Sequence, residues 1–287
     1  MRKPLIGLTV FVVLAALVAG VGYWLTRPDE VSAERPEGAP AAGSCWNVNE
    51  KVAETAFPWP GAPVDCAVPH TAEVFFVGQV DRRLAAKAAR ANGDEAKLQQ
   101  NLMYAQARRG CTSLASAYLG GDWHTARVQV VADWIKPAST GFFGCALVQA
   151  AAPASKRFVG RTASLRGAGK GGGLEIGCVA RDGGGEMTYV PCEEPHEGEF
   201  VGTYRITPPD APFDAEKVRA TATSGCTQAA TAYLGGSRGD LRSGYVGPTT
   251  ASDWLGSDQT YACYALTTGA AKLRGSLKGV GTGPLPH

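Results

Sequence analysis

Charge is scarce in this sequence. Only 19% of its 287 residues are charged, and the formal net charge is +2. Apart from Arg2 and Lys3, which precede the first apolar run, 26 basic residues remain against 26 acidic ones. Nucleic-acid binding requires a basic surface, so this balance argues against a nucleic-acid partner. The apolar fraction of 45% excludes a disordered chain.

The sequence also lacks the signatures of several common enzyme classes. It contains no serine-nucleophile elbow and no metalloprotease helix motif. The glycine-rich run at residues 168–173 is not a phosphate-binding loop, because Lys170 is followed by Gly rather than Ser or Thr. We interpret this run as a flexible linker, and we predict no cofactor and no metal ion.

The longest apolar run is Leu5–Leu25, which has 21 residues and no charge. As a helix it would be about 31 Å long, the thickness of a bilayer core. Positive charge precedes it and aromatic residues lie at its far end, as in a membrane anchor. The pattern predicts a single-pass helix in the cell membrane, with residues 1–4 cytoplasmic and the C-terminal region extracytoplasmic.

A cleaved signal peptide is the alternative for this segment, because Val31-Ser32-Ala33 is a small-residue cleavage motif. The apolar run exceeds the roughly 7–15 residues of a signal peptide, which favours the uncleaved anchor. Residues 26–43 are rich in Pro, Ala and Gly and are predicted to be a linker.

The rest of the chain contains the same pattern twice. Residues 111–121 (CTSLASAYLGG) match residues 226–236 (CTQAATAYLGG) at 8 of 11 positions. Other landmarks recur in the same order: Val64–His70 with Val190–His196, Glu73 with Glu199, Asp133-Trp134 with Asp253-Trp254, Cys145 with Cys263, and Ser164–Gly167 with Ser276–Gly279. The pattern predicts two domain-sized repeats, residues 44–167 and 174–280, followed by a tail at 281–287.

Each repeat is predicted to be a small α+β unit, a mostly antiparallel sheet with one main helix packed on it. The fold class is therefore α+β, with an N-terminal transmembrane helix followed by two tandem disulfide-stapled domains. The predicted elements are helices from about Asp94 to Leu119 and Asp214 to Leu234, strands Glu73–Val80 and Glu199–Ile206, a hairpin around residues 182–186, strands around Cys145 and Cys263, and a last strand ending in the Ser-Leu-basic-Gly motif.

The eight cysteines fall four to a repeat, which predicts disulfides formed in an oxidising compartment. Cys178 and Cys192 lie seven residues on either side of Gly185, so they should face one another across the hairpin at disulfide distance. Cys226 then remains for Cys263. The equivalence of the repeats extends this pairing to Cys45 with Cys66 and Cys111 with Cys145. Pairing of the first cysteine with the fourth and the second with the third is the main alternative.

A zinc site is a further interpretation of the Cys-x-x-x-His spacing at Cys66/His70 and Cys192/His196. Disulfide partners suit these cysteines better, so no metal site is predicted.

The repeated Pro-His-x-x-Glu motif, with His70 and Glu73 or His196 and Glu199, is the most polar part of the pattern. Acid–base catalysis and ligand binding are two interpretations of such a pair. The third is a turn whose imidazole bonds to a backbone carbonyl, with Glu starting the next strand. Duplication favours this structural interpretation, because enzymes rarely keep two complete copies of a site.

Trp134 and Trp254 follow the repeated Asp and could form carbohydrate platforms, since sugars stack on indole rings. Most such tryptophans belong to the core, and we favour that interpretation here. His124 has no counterpart in the second repeat and is predicted to lie on the surface.

The motif order resembles the septum-formation domain family, which comprises extracytoplasmic, membrane-tethered proteins of actinobacteria. The resemblance rests on Val-x-Cys-x-x-Pro-His-x-x-Glu, on Gly-Cys followed by Ala-Tyr-Leu-Gly, and on Cys-x-Leu, in that order. It covers about Ser44–Leu165 and Ile176–Gly279, as two copies in tandem. It implies involvement in the division septum and supplies no enzymatic activity or catalytic residues.

We therefore expect a membrane-anchored, non-catalytic binding or scaffold protein of the cell envelope that acts in septum formation or cell division. Its partners would be the cytoplasmic membrane and another envelope or division protein or a cell-wall polymer. The alternative is an envelope hydrolase or transferase that uses His70 or His196. A catalytic histidine must line a pocket that substrate can reach, so the accessibility of these imidazoles distinguishes the two.

Overall fold

Two antiparallel sheets, one in each half of the chain, organise the structure. The structure is a computed structural model that describes residues 36–53, 55–136, 140–153, 157–171, 173–183, 185–208 and 211–287. Gly38–His287 belongs to one compact unit. We refer to residues 44–167 as the first half and to residues 174–280 as the second half.

The first half contains a four-stranded sheet in the order β1-β2-β4-β3. A long helix, α3, packs on one face of this sheet through buried residues that include Cys111, Ala115 and Leu119. The elements are β1 (Ser44–Trp46), α1 (Glu50–Ala53), β2 (Ala72–Gln79), α2 (Arg82–Arg90), α3 (Gly93–Leu119), a 3-10 turn (Trp123–Thr125), β3 (Val128–Trp134) and β4 (Phe142–Gln149).

The second half contains a five-stranded sheet in the order β6-β5-β7-β9-β8. Its main helix, α4, packs on the sheet through Val218, Ala222 and Cys226, among others. The elements are β5 (Cys178–Arg181), β6 (Met187–Val190), β7 (Gly198–Arg205), α4 (Ala215–Leu234), β8 (Leu241–Val246), α5 (Ala251–Gly256) and β9 (Thr260–Thr267).

The ends of the main helices follow from their sequences. The Asp214 carboxylate accepts the backbone N–H groups of Glu216 and Lys217, which caps the start of α4. Gly120 and Gly235 end α3 and α4 in the left-handed conformation, with φ of 73° and 78°. Glycine adopts this conformation without the steric cost of a Cβ atom, so each Gly-Gly pair stops its helix at the same point of the repeated motif.

The central strand pair has the same irregularity in both halves. The register of β2 against β4 shifts between Val74 and Phe76, and that of β7 against β9 shifts between Phe200 and Gly202. After each shift, the next paired residue on the partner strand is a cysteine, Cys145 or Cys263. A bulge bends the strand that carries it, so β2 and β7 are bent at equivalent places in their sheets.

The prediction of an N-terminal transmembrane helix requires correction. None of the helices in the described part of the chain combines the length and the apolar character that crossing a membrane requires. The longest, α3, has 27 residues, but it carries charge along its length, at Asp94, Glu95, Lys97, Arg108 and Arg109. The predicted segment Leu5–Leu25 lies outside the described residues. The fold that the structure supports is therefore α+β with two disulfide-containing antiparallel sheets, and single-pass membrane anchoring is not supported.

Two further expectations differ from the structure. The Ser-Leu-basic-Gly motifs are not strands, because residues 164–167 and 276–279 form turns and irregular segments. The repeated Asp-Trp pairs are not equivalent either. Trp134 ends β3, whereas Trp254 lies in α5, a helix inserted between β8 and β9.

Candidate functional site

Four disulfides fasten the two halves internally. They join the predicted pairs, and their Cα–Cα distances are 5.1 to 5.3 Å: Cys45–Cys66, Cys111–Cys145, Cys178–Cys192 and Cys226–Cys263. The second bond ties α3 to β4, and the fourth ties α4 to β9. In each case the strand is the one that pairs with the bulged strand. No cysteine in the described part of the chain is free.

Two groups of side chains lie close enough to resemble metal sites, namely Cys45 with His70 and Glu73, and Cys178 with Cys192 and Glu199. Their cysteines are all in disulfides. A metal ion binds thiolate, which a disulfide sulfur does not provide. The donor sets therefore do not fit a metal ion.

The two histidines of the Pro-His-x-x-Glu motifs are buried. His70 is 1% exposed and His196 is fully buried. The Nδ1 atom of His70 lies 2.9 Å from the Val68 carbonyl oxygen, and that of His196 lies 2.8 Å from the Glu194 carbonyl oxygen. A carbonyl can only accept, so Nδ1 carries the proton in each ring. This is the turn geometry expected of a structural motif.

The backbone of each histidine is also engaged. His70 exchanges two backbone hydrogen bonds with Arg161, and His196 exchanges two with Leu273. The remaining ring nitrogen, Nε2, is buried in both residues and has no hydrogen-bond partner among the described residues. An imidazole enclosed in this way cannot reach a substrate in this conformation.

The glutamate of the first motif forms the centre of a buried network. Glu73 is 1% exposed. Its carboxylate accepts the Tyr118 hydroxyl, the Ser164 hydroxyl at 2.5 Å and the Leu165 backbone N–H at 2.6 Å. Burial, together with the neighbouring carboxylate, raises the pKa of Tyr118 to about 12. The network ties the end of α3 and the turn at 164–167 to strand β2.

Glu199 builds the same network in the second half. It is 5% exposed and accepts the Tyr233 hydroxyl at 2.7 Å, the Ser276 hydroxyl at 2.8 Å and the Leu277 backbone N–H at 2.5 Å. Burial is the main cause that raises the pKa of Tyr233 to about 12. The Leu277 N–H donates to this carboxylate, and Leu277 is not part of a strand.

Sequence reasoning missed this network, although its signal was present. Tyr118 with Tyr233 and Ser164 with Ser276 recur at matched places in the repeat. A polar residue that recurs together with a buried glutamate is a candidate partner for that glutamate. The repeat pattern therefore identified the tyrosines and serines but did not show that a glutamate accepts hydrogen bonds from both.

Trp134 and Trp254 lie in different kinds of element and pack against different cores. Trp254 is 3% exposed, packs against Phe213 and donates its indole N–H to the Ala211 carbonyl at 2.9 Å. Trp134 is partly buried against the first core. The Asp133 carboxylate beside it accepts the Trp134 backbone N–H, and burial raises its pKa to about 6. The structure does not form a paired tryptophan platform.

His124 lies where the two halves meet, so the prediction that it is a surface residue is wrong. Its side chain is only 12% exposed. Nδ1 lies 2.8 Å from an Asp122 carboxylate oxygen in the first half, and Nε2 lies 3.1 Å from an Asp258 carboxylate oxygen in the second half. Arg205 donates to the other Asp258 oxygen at 2.7 Å and to the Thr260 hydroxyl at 3.0 Å.

These contacts determine the charge of the imidazole. A neutral ring donates from only one nitrogen, whereas a ring with carboxylate oxygens at both nitrogens is fully satisfied only as imidazolium. Burial lowers the pKa of His124, but hydrogen bonds and charge from Asp258 and Asp122 outweigh it, so the pKa is raised. Burial likewise opposes the ionisation of Asp258, yet His124 and Arg205 hold its pKa at about 2.

This charged cluster forms part of a cleft between the halves, with a volume of about 550 Å³. Ser113 and Ser116 of α3 and Trp123 of the 3-10 turn line one side. Thr203 and Arg205 of β7 line the other. A second cavity of about 570 Å³ shares His124, Asp258 and other residues with the cleft. Polar groups from distant parts of the sequence thus converge at one concave surface.

Comparison with known proteins identifies the family. No curated protein matches the chain, and no solved structure matches it. The family model described as Septum formation matches residues 42–263 in one stretch, which includes both Pro-His-x-x-Glu motifs and the cleft. The match covers well over half of the chain, and the chain belongs to the septum-formation family.

Proposed function

We propose that this protein is a non-catalytic binding or scaffold protein in septum formation, and that the cleft between its halves is its binding surface. The family match points to the process. The observation that carries the proposal is the contrast between two sets of polar residues. The motif residues are buried in the two networks, whereas the cleft residues converge at an open concave surface.

The burial of both motif histidines supports a non-catalytic role for the repeated motif. Their Nδ1 atoms are committed to carbonyl oxygens, and the motif glutamates each accept three hydrogen bonds. A general acid or base must contact the reacting proton, directly or through one water. An envelope enzyme that uses His70 or His196 would have to open its own core first.

We also propose that the halves are two copies of one domain. A disulfide links each main helix to its sheet, a bulge lies opposite the strand cysteine, and a tyrosine, a serine and a leucine N–H donate to each glutamate in the same way. Equivalent tertiary contacts at equivalent sequence positions support duplication more strongly than the short sequence matches do. The copies would be residues 44–167 and 174–280, joined by the linker at 168–173.

The test of the binding surface is a pair of threonine substitutions in cells that lack the native gene. Thr203→Lys places a long charged side chain in the cleft, while Thr223→Lys places it on the exposed surface of α4. Both positions are exposed, so neither variant should lose stability. At equal protein levels we expect a septation defect for Thr203→Lys and normal septation for Thr223→Lys. Normal septation with both variants would reject the cleft as the working surface.

A further inference from the structure

We infer that the cleft between the halves binds a neutral saccharide. The inference rests on the proposed function, because it concerns the same cleft and names the chemical class of its ligand. Its volume of about 550 Å³ lies within the range of small-molecule sites, roughly 300–1,000 Å³.

The balance of charge in the cleft selects against charged ligands. Two carboxylates, Asp122 and Asp258, lie beside two cations, His124 as imidazolium and Arg205. The four groups pair with one another and sum to zero. A charged ligand of either sign would be attracted by two of these groups and repelled by the other two. Neither an anion nor a cation therefore gains net electrostatic stabilisation from the cleft.

The remaining binding capacity of the cleft consists of hydroxyl groups. The Thr203 side chain is exposed, and its hydroxyl forms no hydrogen bond with the described residues. Ser113 donates its proton to the Gly110 carbonyl, which leaves its oxygen free to accept. Arg205 uses Nε and Nη2 within the cluster, and Nη1 remains as a donor. Such an array of mixed donors and acceptors suits a ligand with many hydroxyl groups.

Trp123 is the aromatic residue of the cleft lining, and its indole also packs against the first core. Its indole lies 4.0 Å from the His124 ring, centroid to centroid, and the rings are tilted by 31°. Asp122 and Asp258 fix the His124 ring by hydrogen bonds, and the contact with that ring fixes the orientation of the indole. The partly exposed indole borders the cleft. The C–H face of a pyranose can pack on an aromatic ring while its hydroxyls bond to the surrounding polar groups.

The binding test uses the full-length protein labelled with ¹⁵N, in which NMR follows the Trp123 indole N–H. The neutral probes are chitotriose and maltotriose, and the charged probes are inorganic phosphate and spermidine. We expect at least one trisaccharide to shift the Trp123 signal saturably, with the charged probes at least about tenfold weaker. Failure of both trisaccharides, or tighter binding of a charged probe, would overturn the inference.

Substitutions locate the binding in the cleft. Isothermal titration calorimetry measures the variants, because Trp123→Ala removes the indole signal itself. Trp123→Ala should weaken trisaccharide binding by about tenfold or more, and Thr203→Val by about three- to tenfold through loss of one hydrogen bond. Tyr104→Ala is the control. It removes an exposed aromatic ring from α3 at a position outside the cleft, and it should leave the affinity unchanged. Equal affinity for native protein and Thr203→Val, together with retained binding to a folded Trp123→Ala variant, would contradict the assignment.

This inference and the proposed function fail in different ways. If Thr203→Lys disturbs septation while no trisaccharide binds, the cleft is functional but its ligand is not a neutral saccharide. If a trisaccharide binds while Thr203→Lys leaves septation normal, the ligand assignment holds and the proposed role in septation is wrong.

Discussion

The two halves share one internal framework but differ in how their sheets are covered. In the first half α3 covers one face of the sheet, and a second core covers the other face. That core is built from residues that include Trp46, Phe57, Trp59 and Ile135. The core of the second half gathers on the α4 side of its sheet. The disulfide, the bulge and the glutamate network are therefore common to both halves, while among the described residues the second apolar layer belongs to the first half.

Removing part of this additional layer should have the largest effect. Phe57 is fully buried between Trp59 and the sheet. Phe57→Ala should lower the free energy of unfolding by about 3–5 kcal/mol, the cost of emptying a core aromatic position. Urea denaturation measures the loss, and hydrogen exchange should increase in β2 and β4 before β7 and β9. Val68→Ala, at a position 44% exposed, is the control and should change stability little.

Equal acceleration of exchange in both sheets by Phe57→Ala would show that the second layer supports the whole molecule. The contrast between the halves would then be wrong.

The shared glutamate networks should respond alike. Glu73→Gln and Glu199→Gln each replace a carboxylate that accepts three hydrogen bonds by an amide with a single acceptor oxygen. We expect each change to lower the free energy of unfolding by about 3 kcal/mol, since hydrogen bonds to charged groups contribute roughly 1.5–3 kcal/mol each. Denaturation of the two single variants measures this. A large loss in one half with none in the other would break the equivalence of the networks.

The junction between the halves should produce a smaller effect that depends on pH. Because the folded state raises the pKa of His124, protonation stabilises the folded state. This contribution is fully present below the unfolded pKa of about 6.5 and is lost as the pH rises through the folded value. Urea denaturation of the native protein and His124→Gln should therefore differ most in mildly acidic solution and converge as the pH rises. A difference that grows with pH would contradict the bridged imidazolium.

Local signals explain how much of this fold could be predicted. The Gly-Gly pairs mark the ends of α3 and α4, because a left-handed residue stops a helix wherever the rest of the chain lies. The spacing of Cys178 and Cys192 around Gly185 likewise indicates a local hairpin, and their disulfide forms as predicted. The predicted register is wrong, however, because Val190 lies opposite Cys178 and Cys192 follows the end of β6.

Contacts between distant segments account for what was missed. The repeated Asp-Trp pairs predicted that the two tryptophans lie in equivalent places, but Trp254 lies in an inserted helix while Trp134 ends a strand. His124 meets Asp258 across 134 positions of sequence, and no periodic pattern reports such a pair. The convergence of α3, the 3-10 turn and β7 on one cleft is a property of the assembled halves.

We propose that the repeated Pro-His-x-x-Glu motif stabilises the fold and does not perform the function. The most direct measurement is septation in cells that carry the double variant His70→Ala and His196→Ala, with protein levels matched to the native chain. Each change should cost about 1–2 kcal/mol of stability through one buried hydrogen bond. We expect normal septation once protein levels are matched. A folded, fully accumulated double variant that still causes a septation defect would show that the motif is a working site.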